Sequence, residues 1–141
     1  MVDLNQYTQD IKGFIDSSIN KFRTEHQVPN SIGIYCCPWA GWLTTNFNIN
    51  KSLLESDNNC PDFEFVEFDF FDLSEWQNEY EKDNPAFKLN NETTYLNRDL
   101  GDEQLNQLIY NYLKPIVLEL KENLNSRVIL QMLDSNIAVE L

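Results

Sequence analysis

The chain has 141 residues, a length typical of one domain, and we expect a single domain over residues 1–141. Its apolar fraction of 42% excludes a disordered tail, and no apolar run approaches the roughly 20 residues of a membrane-spanning helix. The odd count of three cysteines and a start without a signal-like pattern predict a cytoplasmic protein without a disulfide framework.

Negative charge dominates the chain and is concentrated in its middle third. There are 23 acidic and 10 basic side chains, which gives a net charge of −13. Residues 62–104 hold thirteen of the acids and three of the bases, a net charge of −10. A field of this sign repels phosphate, so we expect neither nucleic acid nor an anionic membrane as a partner. A cationic protein is the natural complement. The alternative is that the charge only keeps the surface solvated.

The first half of the chain predicts an amphipathic helix followed by a β-hairpin. Apolar side chains recur at spacings of three and four over residues 4–24, as on one face of a helix. Residues 31–37 and 42–48 alternate as strands, and the Pro-Trp-Ala-Gly sequence of residues 38–41 supplies a turn between them. Residues 49–61 predict a short helix that gives way to a polar loop.

The second half begins with an aromatic strand, residues 63–71, in which apolar side chains occur on both faces. Alternation places Val66, Phe68 and Phe70 on one face, and on the other it places Phe63, Phe65, Glu67, Asp69 and Phe71. Residues 74–82 predict a short helix, and residues 83–101 predict a long surface segment with at most one brief element. The clearest helix covers residues 102–124. Pro115 lies inside it and removes one backbone donor, so a kink is expected there.

Strands over residues 127–133 and 137–141 close the predicted order of elements. This order lacks a regular alternation of strand and helix. It predicts an α+β fold, with an antiparallel sheet of about four to five strands and the two long helices packed on one face.

The cysteines and the single histidine do not form a recognisable catalytic or metal-binding motif. Cys36 and Cys37 are adjacent in a strand and point to opposite faces, so they are poorly placed to ligate one metal ion. We interpret Cys36 as a core residue and Cys37 as a strand residue without a redox role. His26 follows the first helix, where a histidine usually caps the helix or lies at the surface. We therefore predict no catalytic residue, no metal and no cofactor.

The candidate functional site is an acidic surface with aromatic residues among its carboxylates. Such a surface suits a partner rich in Lys and Arg, because charge speeds the encounter and rings supply affinity. Trp39 lies in the hairpin turn, where it is either an exposed anchor or a ring folded back onto the sheet. Trp42, at the start of the second strand of the hairpin, is expected in the core. The predicted partner-binding residues are Trp39, Glu64, Glu67, Asp69, Asp72, Glu75, Trp76, Glu79, Tyr80 and Asp83.

Two other classes of function stay open at this point. Carboxylates or His26 in a deep cleft would indicate a small enzyme. A stable oligomer with an exposed apolar patch would indicate an adaptor or a structural subunit. The sequence does not decide the oligomeric state.

The chain resembles the bacterial immunity proteins that protect toxin-producing cells, including those of contact-dependent growth inhibition systems. The resemblance lies in the amphipathic first helix, the hairpin Ser31-Ile-Gly-Ile-Tyr-Cys-Cys-Pro to Gly41-Trp-Leu-Thr-Thr-Asn-Phe, the acidic strand of residues 62–72, and the late Leu-rich helix before Val128-Ile-Leu-Gln-Met-Leu. It implies a small acidic protein of the cytoplasm. Such a protein binds one cognate toxin, often a nuclease, and occludes its active site or a nearby surface. It implies no catalytic residues.

Overall fold

The computed structural model describes all 141 residues and contains eight strands and three α-helices. The helices are α1, Thr8–Glu25; α2, Ser74–Tyr80; and α3, Glu103–Lys121. The strands are β1, Val2–Asp3; β2, Ser31–Cys37; β3, Trp42–Asn48; β4, Phe65–Asp72; β5, Ala86–Leu89; β6, Glu92–Tyr95; β7, Arg127–Met132; and β8, Ala138–Glu140. Short 3₁₀ turns cover Leu4–Tyr7, Cys60–Asp62 and Arg98–Leu100.

Five strands form one sheet in the order β4-β3-β2-β7-β8. The β2–β3 hairpin has the predicted bounds, and its turn ends at Gly41, whose φ of +71° favours glycine. The predicted α+β class is confirmed. The purely antiparallel sheet is wrong, because β2 and β7 pair in parallel. A parallel pair needs a crossover connection, and the long segment between β3 and β7, which includes α3, supplies it.

A second sheet of three strands, in the order β1-β5-β6, was not predicted. Two of its strands, β5 and β6, lie in the segment 83–101, for which the sequence pattern predicts a long surface segment. β5 and β6 form a hairpin whose turn residues Asn90 and Asn91 have φ values of +51° and +68°. Asparagine tolerates this left-handed conformation, and two such residues in succession are typical of a tight hairpin turn. β1 pairs in parallel with β5, which places Val2 beside Phe87.

The core has two parts, one on each face of the larger sheet. Buried side chains of α1 and α3 form the main cluster together with sheet residues such as Ile32, Leu43 and Leu130. On the opposite face, residues 49–63 fold over the sheet as turns rather than the predicted short helix, and they bury the cluster Tyr35, Leu53, Cys60, Phe63 and Ile129. The predicted packing of the two long helices is confirmed in part, since a third helix and a second sheet also build the fold.

Pro115 lies inside α3, which runs from Glu103 to Lys121. The kink expected there stays a prediction.

None of the helices combines the length and the apolar character needed to cross a bilayer.

Candidate functional site

The predicted partner-binding residues lie on β4, on α2 and in the segments beside them, but they do not form one continuous exposed surface. Glu64, Glu67, Asp72, Glu75 and Asp83 are exposed. Trp39, Asp69 and Tyr80 are half-buried, and Trp76 and Glu79 are buried. Most of these side chains have partners within the chain, and these contacts decide which residues are free to meet another protein.

Trp39 folds back onto the protein. Its ring packs against the main core cluster, and its indole Nε1 is buried without a hydrogen-bond acceptor. The structure therefore favours the second of the two interpretations of this residue, and Trp39 does not protrude from the hairpin turn as an anchor.

Trp76 and Glu79 are withdrawn from the predicted surface because both are buried. Trp76 has no exposed area, and its ring lies edge-on to Tyr7 and Tyr112, with centroid distances of 5.6 and 6.2 Å. The two residues are three apart in α2, so they share the face of the helix that packs against the core. Composition and charge alone give no indication of which face this is.

The Glu79 carboxylate holds together the chain start, the end of α2 and the start of β5. One carboxylate oxygen lies 2.7 Å from the Met1 amine and 2.9 Å from Lys82 Nζ, and the Ala86 N–H donates to the other at 3.1 Å. Burial alone would raise the pKa of Glu79. The amine, Lys82 and the Ala86 N–H outweigh this effect and lower its pKa to about 2.

We expect Glu79 to make stability depend on acidity. Because its pKa is lower in the folded state than its ordinary value of 4.5, its contribution is present above pH 4.5 and is lost as the pH falls towards 2. Glu79→Gln should therefore be less stable than the parent near neutral pH, by up to about 3 kcal/mol, and the difference should shrink below pH 4. Urea unfolding at a series of pH values measures this, with exposed Glu81→Gln as control. A difference independent of pH would contradict it.

Glu64 and Asp72 also serve the fold. Glu64 Oε1 accepts hydrogen bonds from three successive backbone N–H groups, at 2.8, 2.6 and 2.7 Å, and fixes the start of the segment that covers the second sheet face. Desolvation raises the pKa of Glu64, but these hydrogen bonds outweigh it and hold the pKa below its usual range. Asp72 Oδ1 accepts from the Ser74 N–H at 2.9 Å, at the start of α2.

Three other predicted residues have internal partners. Asp69 lies 3.4 Å from Lys21 Nζ of α1, and Glu75 accepts a hydrogen bond from the Tyr7 hydroxyl. The Tyr80 hydroxyl donates to Asp102, and the Arg98 guanidinium lies 4.8 Å from the centre of the Tyr80 ring.

Glu67 and Asp83 are exposed and take part in none of the ion pairs. Glu67 lies at a β-bulge, with a φ of +51°, and its N–H donates to Asn46 Oδ1 at 2.8 Å. The bulge interrupts the alternation of β4. As a result Phe65 and Phe68, predicted on opposite faces, both pack against Phe22, with centroid distances of 5.1 and 5.2 Å. A face assignment from strict alternation is therefore wrong for this strand.

Sequence reasoning missed an exposed aromatic residue, Phe70 of β4, which is 58% exposed. Trp42 was expected in the core, but it is half-buried and lies beside Phe70. The register of β3 and β4 places both residues on the face of the sheet opposite α1. The sequence does not reveal this register, because it depends on which strands pair.

The cysteines and His26 occupy separate places. All three cysteines are buried and free, and Cys36 belongs to the core as predicted. Burial raises the pKa of the Cys37 thiol to about 11, which favours the unreactive thiol form. His26 is exposed at the end of α1, where its ring packs against Phe65 at a centroid distance of 4.6 Å.

A cleft of about 230 Å³ lies between the start of α1, the middle of α3 and the β5–β6 turn. Polar side chains line most of it, and its one carboxylate, Glu119, pairs with Lys12 at 2.8 Å. Neither His26 nor any of the predicted partner-binding carboxylates belongs to this lining. The arrangement that would have indicated a carboxylate enzyme is therefore not formed in this cleft.

Comparison of the chain with protein-family models, curated proteins and solved structures gave no match.

Proposed function

We propose that this protein binds and neutralises a cationic protein, most directly a toxin domain with nuclease activity, as the immunity proteins that it resembles do. The observation that carries the proposal is the excess of negative charge that the fold leaves uncompensated. Of the 23 acidic side chains, four form ion pairs: Asp69, Glu79, Glu119 and Glu140. The remaining carboxylates give the surface a field that attracts cations.

The exposed acids of residues 62–104 are the part of this charge that we assign to partner binding. Glu67, Glu81 and Asp83 are exposed and form no ion pair, and they lie along β4 and at the end of α2. Like-signed charges on a protein surface steer an oppositely charged partner and raise its rate of association. Glu67 and Asp83 are kept from the predicted partner-binding residues and Glu81 is added, whereas the buried Trp76 and Glu79 are left out of the proposed surface.

Neutralisation follows from the same electrostatics. A nuclease holds the phosphates of its substrate with Lys and Arg side chains, so its substrate-binding surface is cationic. A protein that presents carboxylates to that surface competes with the nucleic acid for those cations. Binding alone then blocks access of the substrate, and the inhibitor itself needs no catalytic group.

Reversing charges on this surface tests the proposal. The triple change Glu67→Lys, Glu81→Lys and Asp83→Lys should slow association with the cognate cationic protein by about tenfold or more at low salt, because it removes the attraction during the encounter. The partner is obtained as the product of the reading frame immediately upstream of the gene. Stopped-flow association at two salt concentrations measures the effect.

A matched control carries the same charge change elsewhere. Asp10, Asp16 and Glu25 are exposed acids of α1, and their replacement by Lys alters the net charge equally. We expect this control to associate much faster than the first triple variant. Equal rates would show that only the net charge matters and that the proposed surface has no special role.

A further inference from the structure

Three aromatic side chains lie next to one another on the face of the larger sheet that points away from α1 and α3. Tyr35, Thr44 and Phe70 are directly paired across β2, β3 and β4, and Trp42 and Asp72 form the next pair on the same face. The Trp42 ring lies between the other two, with centroid distances of 5.6 Å to Tyr35 and 6.3 Å to Phe70. We call Tyr35, Trp42 and Phe70 the aromatic row.

The aromatic row is the open end of this sheet face. Residues 49–63 cover the other end, where Phe63 and Leu53 are buried against Ile129. Towards the free edge of the sheet the cover ends, and exposure rises from 8% at Tyr35, through half-buried Trp42, to 58% at Phe70. Thr44 is fully buried beneath these rings. The row therefore presents ring surface to solvent on a rigid, hydrogen-bonded support.

Carboxylates border the row at both ends. Asp72 is the register partner of Trp42 and is exposed. Asp134, in the turn after β7, is exposed and close enough to Tyr35 and Cys37 to act on both electrostatically. Asp134 also lines, with Glu103, a shallow polar depression of about 410 Å³.

Basic side chains on this face of the sheet lie at its opposite end. Arg127 pairs in register with Ser31, four residues before Tyr35, or about 13 Å along the strand. It is engaged with Glu140 by two hydrogen bonds of 2.7 and 2.6 Å. Lys51 Nζ donates to the Asp62 carbonyl at 2.6 Å. The rings of the row thus lie in negative surroundings, and a cation over a ring face is also attracted by the quadrupole of the ring.

We propose that the aromatic row is the contact surface for arginine side chains of the partner, with Phe70 and Trp42 stacked against the guanidinium groups and Asp72 and Asp134 paired with them. This inference rests on the proposed function and names the surface and the chemistry that it uses. A planar guanidinium can stack on a ring and bond a carboxylate at the same time, whereas a lysine ammonium acts as a point charge. An arginine-rich segment therefore fits this surface better than a lysine-rich one.

The test uses the full chain and a defined probe, an eight-residue peptide of alternating Arg and Gly. Two-dimensional NMR of the chain measures binding of the peptide. We expect the backbone amide shifts to change at residues 42–44 and 70–72, and the corresponding Lys-Gly peptide to bind more weakly. Phe70→Ala should weaken binding of the Arg-Gly peptide about tenfold or more. Tyr95→Ala is the matched control, because Tyr95 is 70% exposed but lies in the other sheet.

The amide shift changes are measured on the unmodified chain, so the test stays valid even if a variant folds poorly. Shift changes at the row support the inference, whether or not the neighbouring gene encodes a toxin. Changes confined to α2 and residues 83–101 would overturn it, and the proposed function would then depend on those acids alone. Absence of any binding, or equal binding of the two peptides, would also overturn it.

Discussion

Replacing Trp76 by alanine is expected to lower the free energy of unfolding by about 4 kcal/mol, a loss near the upper end of what single substitutions cause. Trp76 is the largest of the fully buried side chains, and its loss leaves a cavity between α2, Tyr7 and Tyr112. The surrounding rings belong to different helices and turns, so they cannot close the cavity without moving those elements. Urea unfolding followed by far-UV circular dichroism measures the change.

Trp42→Ala is the control for this prediction. The residue type and the atoms removed are the same, but Trp42 is half-buried and lies at the open end of the sheet face. We expect a loss of about 2 kcal/mol or less for this variant, because less apolar area leaves water on folding. If the two variants were equally unstable, the assignment of Trp76 to the core and of Trp42 to the surface would be wrong.

Gly41→Ala is expected to destabilise the protein by about 3 kcal/mol, for two separate reasons. The φ of +71° at Gly41 is unfavourable for any residue with a Cβ atom. A Cβ at this position would also lie 2.5 Å from the Leu73 carbonyl oxygen, which belongs to the backbone and cannot rotate away. The Leu73 N–H donates to the Gly41 carbonyl at 2.8 Å, so the clash would disturb the contact between the hairpin turn and the start of α2.

Gly101 is the control for this prediction, because it has a positive φ but no clash with the backbone. Its φ of +66° is similar, but a Cβ there would meet no atom within 4 Å. Gly101→Ala should therefore cost only the backbone strain, about 1 to 3 kcal/mol, because the ψ of −154° at Gly101 belongs to a region that residues with a Cβ atom rarely adopt. Thermal and urea unfolding of both variants would show whether the additional cost at Gly41 is real. A loss at Gly41 of only about 1 kcal/mol, the strain of a positive φ alone, would mean that the Leu73 backbone yields easily.

Short sequence patterns predicted the elements whose contacts lie close together along the chain. The α1 helix and the β2–β3 hairpin follow from side-chain periodicity and from a Pro-to-Gly turn within a few residues. The second sheet depends instead on β1, a strand of two residues, pairing with β5, so that Val2 meets Phe87 far along the chain. No short window of sequence contains both partners. The Asn90-Asn91 turn was the local signal that could have revealed β5 and β6.

The candidate site was predicted less well than the fold, because charge in a sequence does not report burial. Glu79 and Glu67 belong to the same acidic stretch, yet one forms a buried ion pair and the other is exposed to solvent. The bulge at Glu67 then turns Phe68 onto α1, while Phe70 stays on the opposite face of the sheet and is exposed. These outcomes depend on tertiary contacts, such as those of Glu79 with the Met1 amine and of Glu67 with Asn46, that spacing alone cannot supply.

The most direct test of the central claim is growth of cells that make this chain together with the product of the reading frame immediately upstream of its gene. We predict that the neighbouring product alone arrests growth, that co-expression restores it, and that a basic protein copurifies with the tagged chain in a stable complex. A harmless neighbour, or an arrest that persists without any copurified protein, would contradict the proposal that this acidic surface neutralises a cationic toxin.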